Sequence, residues 1–342
     1  MPGPPISNLT ANIFTIDGAL LWFALAALAI VVDFAAGPFV ARYVPSLATI
    51  FKSFARKAIK KLDRPSRTLS ALRMRGFITM IITLPAAFCL GLLFNFLMVQ
   101  TPYAPVVALG LLVPLLGQKN SRQRIIETGK QLGARESSHN SDPHQPVRAA
   151  AAKAILDFAV KLVPRTLWWC LGGFALLLPH ILLGAFIDEA EKRRSGHPES
   201  AFFSTMSFAY ELTTALPAIG AAILLALAHF FLPNTNLSVF NALNPRPLFR
   251  TGATYGPVSR YFPLNVVAVG LGLSMEAEIG EKASSKKISD KAIHWIGLED
   301  GRAQFLATDL KRVWLVTLIG FALYILVSAM IFAFLLLYGK AE

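Results

Sequence analysis

Three groups of carboxylates are the residues of this chain whose type and spacing could do chemistry. Asp33 interrupts an otherwise apolar run over residues 19–40. A carboxylate there is costly unless paired or near water, and intramembrane ionisable residues are functional candidates by default. The competing reading is that Asp33 marks the end of a helix before a turn at Gly37 and Pro38. Asp188, Glu189 and Glu191 form a second group, with Glu211 across the following loop, and Glu276, Glu278 and Glu281 form a third. Oxygen clusters of this kind hold Mg²⁺ through one or two carboxylates and a substrate phosphate. Solvated charges at helix ends are the plainer explanation. The six histidines, His139, His144, His180, His197, His229 and His294, lack the paired spacing of zinc ligands. There is no Walker loop, dinucleotide fingerprint, GxSxG elbow or HExxH. Cys89 and Cys170 both sit inside apolar runs, which excludes a disulfide framework or a Cys-rich metal site.

The elements that must position these residues are set by composition. Hydrophobic residues make up 54% of the 342 and charged residues only 15%, against about 25% in soluble domains. Mean hydropathy is +0.53. A helix needs about 20 apolar residues to cross the hydrocarbon core. Residues 77–99, 166–187 and 313–338 meet that requirement, 215–232 is slightly short but uncharged, and the first span carries Asp33. The stretches 104–116 and 262–275 suit re-entrant, interfacial or tilted segments as well as full spans. The reading is an all-α polytopic membrane protein with about five to six transmembrane helices, interfacial amphipathic helices and a cytoplasmic helical portion. Residues 1–17 contain no Lys or Arg, so the first apolar run is expected to be a retained span rather than a signal peptide.

Loop charge gives an orientation. With six crossings, the loops 41–76, 117–165 and 233–312 carry 10, 9 and 10 Lys/Arg, which is 29 of the chain's 33. The positive-inside rule places these loops in the cytoplasm and both termini outside a bacterial inner membrane. The chain then divides into an outside N-terminus (1–17), a first span (18–40), a basic loop with an interfacial helix (41–76), a membrane hairpin (77–116), a basic cytoplasmic loop (117–165), a second hairpin with a polar connector (166–232), a cytoplasmic segment with a re-entrant candidate at 262–275 (233–312), and a last span with the C-terminus (313–342). The net charge of +13 reads as topology signal and contact with anionic lipid rather than nucleic-acid binding.

Within the first loop, Leu47, Ile50, Phe51, Phe54, Ala58, Ile59 and Leu62 follow the spacing of one helical face, with Lys52, Arg56, Lys57, Lys60 and Lys61 around them. Such a helix lies in the membrane interface with its cations among lipid phosphates; the alternative is packing against another part of the protein. Residues 133–147 read as an exposed loop, and helical spacing resumes over 148–163.

The order of several short elements carries a resemblance. Val32-Asp33-Phe34-Ala35-Ala36-Gly37-Pro38, followed at once by the basic helix, resembles the Asp-x-x-x-Gly-Asp-Pro opening of the CobD/CbiB family of cobalamin-biosynthesis membrane proteins. Gly133-Ala134-Arg135-Glu136-Ser137 resembles its Gly-Arg-Asp-Thr segment, and Gly172-Gly173 its span with paired glycines. Asp188 falls near the acidic position of its Asn-Thr-Leu-Asp motif. Glu211 and Leu216-Pro217-Ala218 resemble its Asp-Asp-Val-Ala-Asn-x-Leu-Pro-Ala run. Gly280-Glu281, Trp295-Ile296-Gly297 and Asp309-Leu310 resemble its closing elements. Where the family has Glu-Asn-Thr-Val-Asp-Gly, positions 156–161 read Leu-Asp-Phe-Ala-Val-Lys. The resemblance covers roughly residues 20 to 330. It implies an amide ligation, dependent on ATP and Mg²⁺, that joins an aminopropanol group or its phosphate to adenosylcobyric acid, a corrinoid. By resemblance, Asp33, Asp188 and Glu211 are catalytic, Arg135, Glu136, Trp295, Gly297 and Asp309 bind the cofactor, and Glu281 binds the metal. The alternative is a non-catalytic membrane scaffold or sensor related to the AmpE-type proteins; a small-solute transporter is a third class, disfavoured because no matched pair of broken helices is evident. Six crossings would leave Asp188 and Glu211 outside, so a functional resemblance requires that one segment does not cross fully. The expected break is at Pro179-His180.

Overall fold

The computed structural model describes residues 22–33, 47–64, 66–100, 103–116, 125–129, 144–194, 201–233, 235–244, 257–277, 294–298 and 300–338. Among them the fold is helical apart from one two-stranded antiparallel sheet. The main helices are α1 (Trp22–Asp33), α2 (Leu47–Leu62), α3 (Leu69–Gln100), α4 (Ala104–Leu116), α5 (Gln145–Leu156), α6 (Val163–Gly172), α7 (Phe174–Arg194), α8 (Ser204–Ala228), α9 (Val258–Leu271) and α10 (Ala307–Tyr338). The strands are β1 (Ser274–Ala277) and β2 (His294–Gly297). The chain forms two compact units. One comprises Met1–Gly117, Arg165–Thr213 and Leu326–Glu342; the other comprises Gln118–Pro164 and Thr214–Ile325.

In the first unit, α2 occupies the residues its apolar spacing marks. Ala55 and Ile59 are fully buried in a core with Leu72 of α3, Phe186 and Ala190 of α7, and Phe202. Part of the stripe read as membrane-facing thus packs on protein. The segment 166–187 is not one helix. It breaks between α6 and α7 at Gly173, whose φ of +58° suits glycine. The break falls six residues before the expected Pro179, which α7 accommodates in its second turn. Asn95 of α3 makes the break tolerable in apolar surroundings. Its Nδ2 donates to the Gly172 carbonyl at 3.0 Å and its Oδ1 accepts from the Phe174 N–H at 2.9 Å, so the backbone groups flanking the break keep partners. Trp169, fully buried, donates Nε1–H to the Trp22 carbonyl at 3.0 Å and meets the Trp22 and Phe174 rings edge-on. This contact docks α1 on α6.

In the second unit, α9 is buried along almost its whole length, as expected of a helix that is apolar on all sides. At 14 residues it is too short for an untilted crossing, and it ends in a left-handed C-cap at Gly272, with the Leu273 N–H donating to the Ala268 carbonyl at 2.8 Å. The stretch 262–275 is therefore most of α9 plus the start of a hairpin. β1 pairs with β2 in the register Ser274↔Gly297, Met275↔Ile296, Glu276↔Trp295 and Ala277↔His294. This short hairpin is the one non-helical element in a fold that is otherwise all-α among the described residues. Residues 148–163 are helical as expected, but Asp157–Leu162 winds as a π-helix, with the Val163 N–H reaching the Phe158 carbonyl. The Asp157–Lys161 ion pair at 2.7 Å braces that turn.

Three helices among the described residues are long and apolar enough to cross a membrane: Leu69–Met98, Ala201–Phe231 and Thr308–Phe334. α3 and α10 turn large apolar side chains outward, among them Ile82, Leu93, Met330 and Phe334. Lipid is the solvent that such faces match.

Replacing Asn95 with Leu should lower unfolding stability in detergent by about 2–4 kcal/mol, since two buried backbone groups lose their partners. A thermal midpoint equal to that of the wild type would contradict this role.

Candidate functional site

In the second unit, α9, the 3₁₀ segment Leu237–Leu243 and the hairpin line a cavity of about 700 Å³. Tyr261, Asn265 and Val269 recur every fourth residue on α9, which puts them on one face, and all three line it. Ser238, Asn241 and Ala242 come from the 3₁₀ segment, whose N-cap is Asn236, with Oδ1 accepting from the Ser238 N–H at 3.0 Å. Ser274, Trp295, Ile296 and Gly297 come from the hairpin, and Leu298, Gly301 and Ala303 from the loop after it. That loop is tied down by Ser274, whose hydroxyl lies 3.0 Å from the Gly301 carbonyl and 3.3 Å from that of Leu298. Gly297 has a φ of +129°, and a Cβ there would collide with the Leu273 carbonyl, so the wall needs glycine at this point.

The chemistry of the wall is neutral. Hydroxyls, carboxamides, backbone groups and apolar carbon line it, and none of the described lining residues is acidic or basic. Asn265 is the buried polar anchor. Its Nδ2 donates to the Ala242 carbonyl at 3.0 Å, which fixes the orientation of the amide. Among the described residues no donor reaches its Oδ1, so that oxygen is available to a ligand N–H or O–H. Trp295 is 41% exposed and supplies the large apolar surface. Arg148 of α5 lies behind it, with the guanidinium carbon 5.1 Å from the ring centroid and Nη1 donating to the Ala303 carbonyl at 3.0 Å. This cation–π contact fixes the indole.

Two residues expected from the sequence, Trp295 and Gly297, meet at this cavity. Asp309 lies at the start of α10, where Oδ1 accepts from Arg302 at 3.1 Å and Oδ2 from the Leu306 N–H at 2.9 Å. A carboxylate there matches the helix dipole, and its role is to hold the loop that carries Gly301 and Ala303. Asp33, Asp188 and Glu211 belong to the first unit, on α1, α7 and α8. Asp33 is buried at the last described position of α1, and Glu211 is half-buried. Arg135, Glu136 and Glu281 lie outside the described residues. Among the described residues no group of three or more His, Cys, Asp or Glu is placed to hold a metal ion, and the cavity wall offers no charged ligand for Mg²⁺ or a phosphate chain. ATP and Mg²⁺ therefore do not fit the described cavity. The residues missed from sequence are Tyr261, Asn265, Ser274 and Arg148; the available signal was a lone carboxamide, Asn265, inside the apolar run 262–275.

Asp188 has a different setting. Lys52 of α2 reaches its Oδ2 at 2.8 Å, and the neighbouring Glu189 receives Arg56 through Nε and Nη2, both at 3.2 Å, and Lys192 at 2.7 Å. Two ion pairs, Lys52–Asp188 and the two-contact Arg56–Glu189, thus clamp α2 to α7, while Lys192 braces Glu189 within α7. Burial pushes the Glu189 carboxyl up, but hydrogen bonds and charge from Arg56 and Lys192 outweigh it and hold it below the usual carboxylate range. The Arg56 guanidinium is raised in turn by Glu189. His180 is also accounted for by packing. Thr213 donates its hydroxyl to the Tyr210 carbonyl at 2.9 Å, so His180 Nδ1–H donates to that hydroxyl at 3.3 Å, and the imidazole stacks on Tyr210.

No family model, curated protein or solved structure matches this chain.

The stabilisation from Glu189 is fully present above its unfolded value of about 4.5 and lost as pH falls through its lower folded value. Glu189→Gln should melt below the wild type near neutral pH, and the two midpoints should converge as pH drops beneath 4.5. A gap that stays constant with pH would remove the charge of Glu189 from the clamp.

Proposed function

We propose that this chain is a CobD/CbiB-like inner-membrane protein that binds a carboxamide-bearing corrinoid in the cavity of the second unit. The observation that carries this reading is the chemistry of the cavity wall. Trp295 and Gly297, which motif order assigned to the cofactor, line a neutral cavity whose buried anchor, Asn265, offers an amide acceptor, so in this reading they serve the corrinoid instead. Carboxamides pair with Asn and Ser through neutral hydrogen bonds, and an apolar ring edge packs on indole. A charged ligand would be desolvated against a wall that presents no charged lining residue among those described. The reaction that the resemblance implies is amide ligation, and it names Asp33, Asp188 and Glu211 as candidate carboxylates and Arg135, Glu136 and Glu281 for phosphate and metal. In this reading α1, α4 and the α6–α7 pair join the three long helices to give five to six crossings, with the basic loops cytoplasmic.

A second reading, a non-catalytic scaffold or sensor, is favoured by one observation. Asp188, a candidate catalytic residue, is engaged by Lys52 in the clamp on α2. The two readings separate on binding against turnover. Detergent-purified protein should retain adenosylcobyric acid in equilibrium dialysis, read by corrin absorbance. Trp295→Leu should weaken retention about tenfold, equivalent to about 1.4 kcal/mol, while Trp295→Phe keeps most of it. With ATP, Mg²⁺ and aminopropanol phosphate added, a cobinamide product seen by mass spectrometry supports ligation. Binding without product selects the scaffold or sensor, and absence of both defeats the corrinoid reading.

A further inference from the structure

The apolar stripe of α2 is divided by its docking onto α7. Ala55 and Ile59 are 0% exposed, whereas Ile50 is 56% and Phe54 45% exposed. The cations divide in the same way. Lys52 and Arg56 pair with Asp188 and Glu189. Lys57, Lys60, Lys61 and Arg64 are exposed, and none of them forms an ion pair with a described residue. Ile50, Phe54, Lys57 and Lys61 follow one another at spacings of four, three and four, so they form a single ridge, outward except that the Phe54 ring meets the Phe186 ring of α7 edge-on, with centroids 6.2 Å apart. Its first half is apolar and its second half cationic.

We infer that this ridge is a contact surface for anionic lipid, with Ile50 and Phe54 entering the acyl boundary and Lys57, Lys60, Lys61 and Arg64 holding headgroup phosphates. The occupant follows from charge and from continuity along the chain. A helix with apolar and Lys-rich surfaces turned outward matches the headgroup boundary. α2 ends at Leu62 and α3, long and apolar enough to cross a membrane, starts at Leu69. Arg67 and Arg73 are exposed at that start, so the cations gather where a crossing helix would leave the headgroups. A second copy of the chain would bring its own cationic ridge and be repelled. The clamp on α7 sets which face is left over for lipid, so the surface is preorganised. This inference is independent of the cavity and its ligand.

The full chain is reconstituted in nanodiscs of phosphatidylcholine alone or mixed with phosphatidylglycerol. A nitroxide is placed at position 50 through Ile50→Cys in a Cys89→Ser, Cys170→Ser background. In the mixed discs the label should collide more with oxygen than with an aqueous nickel chelate, and high salt should reverse that preference. Neutralising the four cations together (K57Q, K60Q, K61Q, R64Q) should release the label to water, at roughly fivefold in lipid preference per cation. Replacing the three lysines by arginine should retain contact, which separates lost charge from lost folding. A label in water in both lipid mixtures, contact unaffected by salt and neutralisation, or dipolar broadening from a second labelled copy would each overturn the inference.

Discussion

Backbone groups in apolar surroundings must find partners inside the protein, and in the first unit one buried side chain meets that requirement at a break in the helix. The carboxamide of Asn95 bonds the carbonyl before Gly173 and the N–H after it. Without that amide, a change of direction between α6 and α7 would leave a donor and an acceptor unsatisfied, each at about 1–3 kcal/mol. With it, the chain can turn. Trp169 is then free to meet Trp22 on one side and Phe174 on the other. α7 is set at an angle that presents Phe186 to the buried face of α2 and Asp188 and Glu189 to its cations. The hydrophobic contact and the ion pairs of α2 are therefore consequences of where α7 begins.

The second unit answers the same requirement with local devices. The left-handed cap at Gly272 ends α9, the two strands satisfy each other, and Ser274 bonds the carbonyls of the following loop. None of these consumes the whole polar capacity of the wall. Asn265 uses its N–H on Ala242 and leaves its oxygen at the cavity. A surplus of neutral hydrogen-bonding capacity beside a fixed indole is what distinguishes this region from a closed core and makes it the candidate site.

The periodic elements were legible and the irregular ones were not. Residues 47–62 become α2 because apolar and basic positions alternate at helical spacing over four turns, whereas the long apolar runs become α3, α8 and α10 because a helix satisfies all their backbone groups within the segment. The break in 166–187 was expected at Pro179, whose chemistry is visible in one dimension. It occurs at Gly173 because its stabilising partner, Asn95, is more than seventy residues away in sequence, and no local pattern reports that. The hairpin escaped for a related reason: four-residue strands are too short to show alternation, and Trp295 was picked out by motif order rather than by any sign of a strand. The cavity itself was not legible. Trp295 and Gly297 were named for a cofactor by motif order, Asn265 and Ser274 lay inside the greasy run 262–275 with Tyr261 beside it, and only the fold of α9 onto the 3₁₀ segment gives their polar atoms a common space.

Charge placement decides what such a cavity selects. Arg148, Asp157, Glu189 and Asp309 are all buried, and each is engaged at a structural joint: Arg148 at Trp295 and Ala303, Asp157 at Lys161, Glu189 at Arg56 and Lys192, Asp309 at Arg302 and the first turn of α10. Ionic groups hold elements together, and the cavity wall is left neutral. Recognition there must depend on hydrogen-bond complementarity and shape, because a neutral wall penalises a bare ion by several kcal/mol of desolvation while accepting an amide at little net cost. A ligand that is large, uncharged over most of its surface and dense in carboxamides satisfies both conditions. A free nucleotide satisfies neither. That asymmetry makes the cavity a better match for a neutral, amide-bearing ligand than for a phosphate chain.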